Sequence, residues 1–407
     1  MIFIVWIFIS GRIIESKKPF TVVFCLKASD PKAAKYIQDS LKMLRNEFDK
    51  LGFLQKIRIL RIGEDIINNN EQALRYRHKF DVGLIIWGEI FSGAKDGKFV
   101  SEFKTLYFTY KVPPNLRQAN IFQFFKNDVN IALINRDWNI YEINSLQDTE
   151  KVSENLSETI LFLSGLIYAQ YRDFAEDSSA ILESLFNLLE KKTKNEKIGI
   201  TDADKPVQTI NMSPRMLRKG RLLTLLLGLY KNLGIDFISN HEYKKGTQYL
   251  EKCIKYGDKD IDILSYSAFA YFHLNNIDKA IQYTDQINEI ERHNQIYLLN
   301  YAFFGIYKRN YSSALFYYKE ITKRDRRVDN DVIIRAIAFL DERKNDDPKE
   351  IAYEFAIGVL NKFHFQKDIG IRELRQFVKK AKKKEPYKEM VAFVENDILP
   401  MKKSKRK

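Results

Sequence analysis

Cysteine and histidine are both scarce: two cysteines and five histidines occur among 407 residues. Cys25 and Cys253 fall in separate apolar segments, so no disulfide framework is expected and both read as small buried hydrophobes. Nothing in this usage demands an oxidising compartment. The histidines, His78, His241, His273, His293 and His364, are scattered, and no pair stands at metal-ligand spacing beside cysteines. A phosphate-binding loop is missing as well. Gly88 and Gly93 have the spacing of its first two glycines, but Ala94 stands where a lysine must reach the phosphates. Gly97-Lys98 fares no better, because Phe99 follows it and Ser92 takes the place of the upstream glycine. Asp81 and Glu89 flank an apolar run and read as solvent-facing residues at strand ends rather than as a catalytic pair. With no nucleophile elbow and no metal box, neither an enzyme nor a cofactor is expected. A nucleotide-dependent catalyst in the N-terminal half is an alternative that lacks residues to carry it.

Long hydrophobic runs are also lacking. The segment 1–18 opens with an apolar stretch from Ile2 to Ile9, which stops at Ser10, Gly11 and Arg12, whereas a membrane span needs about 20 apolar residues. A secretory signal needs a basic segment ahead of its apolar core, and only Met1 precedes this one. The stretch reads as a buried strand or the start of a domain, with the remnant of a longer anchor as the alternative. A cytoplasmic location is expected, membrane association through the apolar N-terminus being the other reading. The net charge of +14 is unevenly spread: five lysines lie within 379–384 and five basic residues within 402–407. The tail, 401–407, reads as solvated charge. The alternative is an adaptor for nucleic acid or an anionic membrane, since phosphate binding needs only clustered Lys and Arg.

What is present fits two domains, with 45% apolar residues to build their cores. Residues 19–145 alternate strand and helix. Phe20 to Leu26 is β-branched and aromatic, and Asp30 then caps a helix with Pro31 in its first position. Its apolar face follows Ala34, Ile37, Leu41, Leu44, Phe48 and Leu51. Ile57 to Ile62 reads as a strand, Glu71 to Phe80 as a short helix, and Val82 to Trp87 as a central strand. A turn at Asp96 and Gly97 leads to a hairpin strand through Lys98 to Val112, and a last pair uses Val129 to Ile134 and Trp138 to Ile143. A linker is expected near 144–153. The stretch Asp81-Val-Gly-Leu-Ile-Ile-Trp-Gly-Glu-Ile90, with its charged turn and long strand, resembles the α/β domain at the front of TolB and of some bacterial repeat proteins. That resemblance implies a domain that senses a ligand or docks a partner ahead of other modules. The chain departs from TolB in having helices where TolB has a β-propeller, so periplasmic residence does not carry over.

Residues 150–400 read as helical repeats. Gly246, Ala280 and Ala314 are small residues 34 apart, each followed four positions later by a larger one, Leu250, Thr284 and Tyr318. The period holds in other registers: Tyr243, Ile277 and Tyr311 precede by three, Gly234, Ala268 and Ala302 by twelve. Tyr230, Leu264 and Leu298 precede these in turn, and the second helices carry Cys253, Ile287 and Ile321. Weaker copies are read at Leu161, Gly165 and Tyr168 with Ser178, Leu182 and Leu185, and at Gly358, Gly370, Leu374 and Phe377. A polar insert runs from about Lys191 to Ser213, Asp331 to Arg343 looks like an unpaired or irregular helix, and Pro386 to Ile398 like a cap.

Over roughly 227–328 the chain resembles the tetratricopeptide repeat (TPR) family, which implies an α/β domain followed by an all-α helical-repeat solenoid. In that family the first helix of each pair lines a groove. The resemblance therefore implies a partner-binding set of Lys231, Phe269, Phe272, His273, Asn300, Phe303, Ile306 and Tyr307. Phe269 and Phe303 are equivalent across one period, as are His273 and Tyr307. Such an aromatic ladder would suit a peptide or partner helix, and Phe269→Ala with Phe303→Ala is expected to weaken capture with little loss of fold. The opposing reading packs these rings on a neighbouring helix. Lys231 matches one position of the carboxylate clamp of chaperone-binding relatives, but Ile235 and Phe269 stand where asparagine is needed, so chaperone binding is not expected. The resulting expectation is a non-enzymatic scaffold for a protein or peptide partner.

Overall fold

The computed structural model describes residues 20–53, 56–95, 98–110, 141–142, part of 157–168, 175–194, 199–200, 210–211, 214–323 and 329–399. The apolar segment 1–18, the Asp96-Gly97 turn, the strand expected at 129–134, the linker at 144–153 and the tail at 401–407 lie outside the described residues. The chain forms two compact units, 1–233 and 234–407.

The first unit is built on a mixed sheet. Strands β1 (Phe20–Ala28), β2 (Ile57–Arg61), β3 (Leu84–Lys95), β4 (Lys98–Tyr110) and β5 (Tyr141–Glu142) lie in the order β2-β1-β3-β4-β5. β1 is parallel to both β2 and β3, whereas β3 and β4 form an antiparallel hairpin. The run Leu84-Ile85-Ile86-Trp87 is buried on both faces, as a central strand requires. Helix α1 (Pro31–Lys50) joins β1 to β2, and α2 (Asn70–Phe80) joins β2 to β3. The Asp30 carboxylate accepts from the amides of Lys32 and Ala33 at 2.8 and 3.0 Å, so the first turn of α1 has its orphan donors satisfied. The buried face of α1 runs through Ala33, Tyr36, Ile37, Ser40, Leu41, Leu44 and Phe48. It begins one residue before the expected Ala34, and Leu51 is the cap rather than part of the helix. Ala73 of α2 packs with Val23, Cys25, Ile85 and Trp87. Neither Cys25 nor Cys253 is in a disulfide, and both are buried.

Helical residues between 157 and 168 and helix α3 (Ala175–Thr193) belong to this same unit. The Tyr168 hydroxyl accepts from the Phe20 amide at 2.8 Å and donates to the Lys56 carbonyl at 2.9 Å, and the Tyr168 and Phe20 rings meet edge to face. Lys56 also pairs with Asp177. Gly165 crosses α3 closely, where an added Cβ would lie 2.4 Å from Leu182, and the Ser178 hydroxyl donates to the Gly165 carbonyl at 2.7 Å. The division between the units falls at 233/234, after these helices. The physical reason is that Tyr168 and Asp177 tie these helices to the backbone and side chain at the sheet edge. Two short strands, β6 (Gly199–Ile200) and β7 (Ile210–Asn211), pair within the polar insert.

Helix α4 (Pro214–Ser239) carries the division between the units, and the described residues of the second unit form helices and their connections. It continues with α5 (Tyr243–Lys255), α6 (Ile261–His273), α7 (Ile277–Ile290), α8 (Gln295–Tyr307) and α9 (Tyr311–Ile321). Then come α10 (Asn330–Asp346), α11 (Ala352–His364), α12 (Lys367–Ala381) and α13 (Lys388–Phe393). Four helix pairs carry small residues twelve apart, one on each helix: Gly234 with Gly246, Ala268 with Ala280, Ala302 with Ala314, and Gly358 with Gly370. The approach is tightest at the glycines. A Cβ on Gly246 would lie 2.8 Å from the Gly234 carbonyl oxygen, and one on Gly370 2.2 Å from the Lys362 nitrogen. The last pair follows the third by 56 residues, from Ala302 to Gly358, instead of 34, because α10 is interposed. Past it, Tyr318 of α9 packs on Phe355 of α11 with ring centres 5.6 Å apart.

The end expected as one capping helix is broken into a 3-10 turn (Glu385–Tyr387), α13 and a π-helical turn (Val394–Ile398). Met390, Val391, Phe393 and Val394 are buried there. The buried Glu350 carboxylate ties this end to the stack, accepting from the hydroxyls of Tyr311 at 2.6 Å and Tyr387 at 3.0 Å and from the Ala352 amide at 3.0 Å.

Candidate functional site

The aromatic face of α6 and α8 is the strongest candidate, and it carries a helix of its own. Phe269, Phe272 and His273 sit on the last turns of α6, and Phe303 and Tyr307 one period later on α8. Phe339 of α10 enters among them. Its ring centre is 4.9 Å from that of Phe303, 5.8 Å from Phe269, 5.9 Å from Phe272 and 6.2 Å from His273. All four contacts are steeply inclined, the edge-to-face arrangement that ring quadrupoles favour. Tyr243 at the start of α5 stacks on His273 at 4.5 Å with the planes 6° apart. Arg343, one turn beyond Phe339, lies over the Phe339 ring at 5.5 Å and pairs with Glu342 and Asp346 of its own helix.

The residues expected to line the groove thus divide. Phe272, Phe303 and Ile306 are core residues at 7%, 7% and 1% exposure, and Phe303 also meets Tyr353 of α11. Phe303→Ala would therefore injure the fold, contrary to the expectation of little loss, because five rings pack on it. Phe269 and Tyr307 remain accessible at 38% and 43%. His273 is half-buried, and its pKa is held below the ordinary 6.5 chiefly by burial and then by the Arg343 charge. Asn300 donates its side-chain amide to the Thr284 hydroxyl at 3.2 Å, so it serves the junction with α7. Lys231 lies on the part of α4 that belongs to the first unit.

Residues that sequence reasoning missed are Tyr243, Phe339, Arg343 and Tyr353. A signal for two of them existed: Phe339 and Arg343 are four apart on a segment whose apolar residues, Ile333, Ala336, Ile337 and Leu340, recur at helical spacing. What the segment would cover was not encoded in that spacing.

Elsewhere the chemistry is sparse. Asp81 caps α2 in the left-handed conformation, φ 49°, and its amide donates to the Arg77 carbonyl. Glu89 is half-buried beside a bulge in β3. Among the described residues no group of three or more His, Cys, Asp or Glu is placed to hold a metal ion. In the basic run at the end of α12, Lys380 pairs with Glu354 at 2.5 Å and Lys382 with Glu395 at 3.0 Å, which neutralises part of it. Among the described residues one stretch, Leu222–Ser239, is long and apolar enough to cross a membrane by length and composition. Its Gly234 and Ile238 pack on Leu250 and Gly246 of α5.

No model of a known protein family matches the sequence, and no curated protein matches it.

Proposed function

We propose that the chain is a non-enzymatic interaction protein of the tetratricopeptide type, whose helical array holds a helical or peptide segment of a partner on the α6 and α8 face. The TolB-like α/β domain would then sense a ligand or dock a second partner, in the cytoplasm. One observation carries the reading: the face already accommodates a helix laid across two successive repeats through an aromatic anchor, Phe339. A surface that receives one amphipathic helix in this way has the size and chemistry to receive another. Aromatic side chains suit the task because they supply large contact area at small entropic cost.

The test uses the full chain as bait, with Phe269→Ala/Tyr307→Ala as the comparison, since these two rings are the accessible ones on this face. Partners retained at high salt should fall at least about tenfold with the double variant, as truncated anchor residues do. Equal capture by both baits would sink the assignment. Recovery of RNA or anionic lipid alone, lost as salt rises, would move the function to the basic C-terminus instead.

A further inference from the structure

Helix α10 is an addition to the repeat. Tyr318 of α9 meets Phe355 of α11 past it, and the interval between the small-residue pairs lengthens only where α10 is inserted. Along α10 just two residues, Ile333 and Leu340, are fully buried; Val332, Ala336, Ile337 and Phe339 are half-buried, and Ile334 is 41% exposed. A tethered helix that buries so little opens at a small fraction of the cost of unfolding the stack. Against it, Phe303 and Phe272 stay packed by their own neighbours, Tyr353 and Tyr307, so the face would keep its shape without α10.

We propose that α10 is a resident, displaceable occupant that closes the aromatic face. The incoming partner is an amphipathic helix repeating its chemistry, with an aromatic anchor for the place of Phe339. This rests on the interaction function proposed above and adds its regulation. In the closed state α10 competes within the same chain, so the apparent affinity for a partner is reduced by the fraction of molecules that are open.

The probe is a fluorescent peptide copying residues 329–347, titrated into the full chain, into Phe339→Ala and into Ala338→Gly. Ala338 is exposed in the middle of α10, so its glycine variant weakens the helix without touching the face. It keeps the test valid should Phe339→Ala fail to fold. Peptide affinity should rise about fivefold for Ala338→Gly, the population shift that a helix-interior glycine brings. For Phe339→Ala it should rise about tenfold or more, in line with loss of a buried anchor. A peptide carrying Phe339→Ala should not bind. Hydrogen exchange supplies the second readout: saturating peptide should raise deuterium uptake in the chain's own α10 and leave α8 protected. Equal affinity for all three proteins, no binding to any, or an α10 that stays as protected as α8 would each overturn displacement. Failure of the underlying function reads differently: the peptide would displace α10 while protein capture ignored Phe269→Ala/Tyr307→Ala.

Discussion

Phe269 and Phe303 occupy equivalent places one repeat apart, yet their exposure differs more than fivefold, 38% against 7%. Equivalence in register sets the direction of a side chain; what lies above it is set by the rest of the chain. Phe303→Ala should therefore cost about 3–5 kcal/mol in urea unfolding, as a large-to-small change in a packed core does, whereas Phe269→Ala should cost about 1 kcal/mol or less. Similar losses for the two would show that Phe303 is not held as described. His273 makes a second residue-scale prediction. Its folded pKa lies below the unfolded 6.5, because burial and Arg343 disfavour the cation, with Glu342 opposing and His241 adding to Arg343. The unfolded chain thus takes up the proton first on acidification. Stability present above about pH 6.5 is lost as pH falls toward the folded pKa. His364, also lowered by burial, has the same sign. The melting temperature should drop from about pH 7.5 to about pH 5.5, and His273→Gln should flatten the drop without abolishing it. An unchanged slope would place His273 in a solvated site.

At the scale of elements, the helix pairs were legible because their crossings leave a mark in sequence: a residue with no room for a larger side chain must recur wherever two backbones meet. Gly370→Ala should destabilise by about 1–3 kcal/mol, since its Cβ would press on the Lys362 backbone, which cannot rotate away. Gly228, inside α4, has nothing within 4 Å of its Cβ position, so Gly228→Ala should stabilise by up to about 1 kcal/mol through helix propensity alone. Thermal unfolding of the two variants should shift in opposite directions. The Asp30 cap and the central apolar strand were legible for a similar reason, each being a local rule with a local signature. Helix α10 was legible as a helix but not as a cover. Its contacts with Phe269 and Phe303 span 70 and 36 residues of sequence and follow no period. The broken end at 385–398 escaped for the opposite reason: its apolar residues, Met390, Val391, Val394 and Ile398, keep helical spacing, and only the backbone departs from it.

At the scale of the whole molecule, the question is which stretches fold together. Alternation of strand and helix ends near residue 145, and composition alone puts the boundary there. The Tyr168 hydroxyl instead serves the Phe20 amide and the Lys56 carbonyl at once, and burial pushes its pKa up to about 12. A fragment ending at residue 150 leaves those backbone groups without this partner and uncovers the Phe20 ring. One ending at residue 193 keeps Tyr168, the Lys56–Asp177 pair and the Gly165 crossing. The same logic applies to the other unit: Gly234 and Ile238 of α4 cover Leu250 and Gly246, so a fragment from residue 214 keeps the first crossing and one from residue 240 strips it. Cooperative melting is expected for fragments 1–193 and 214–407. Fragments 1–150 and 240–407 should lose several kcal/mol, on the order of 3–5 for each buried aromatic or leucine contact removed, and melt broadly. If 1–150 melted as sharply as 1–193, the helices between 157 and 193 would be an appendage to the sheet, and the early boundary would be the better description of how this chain folds.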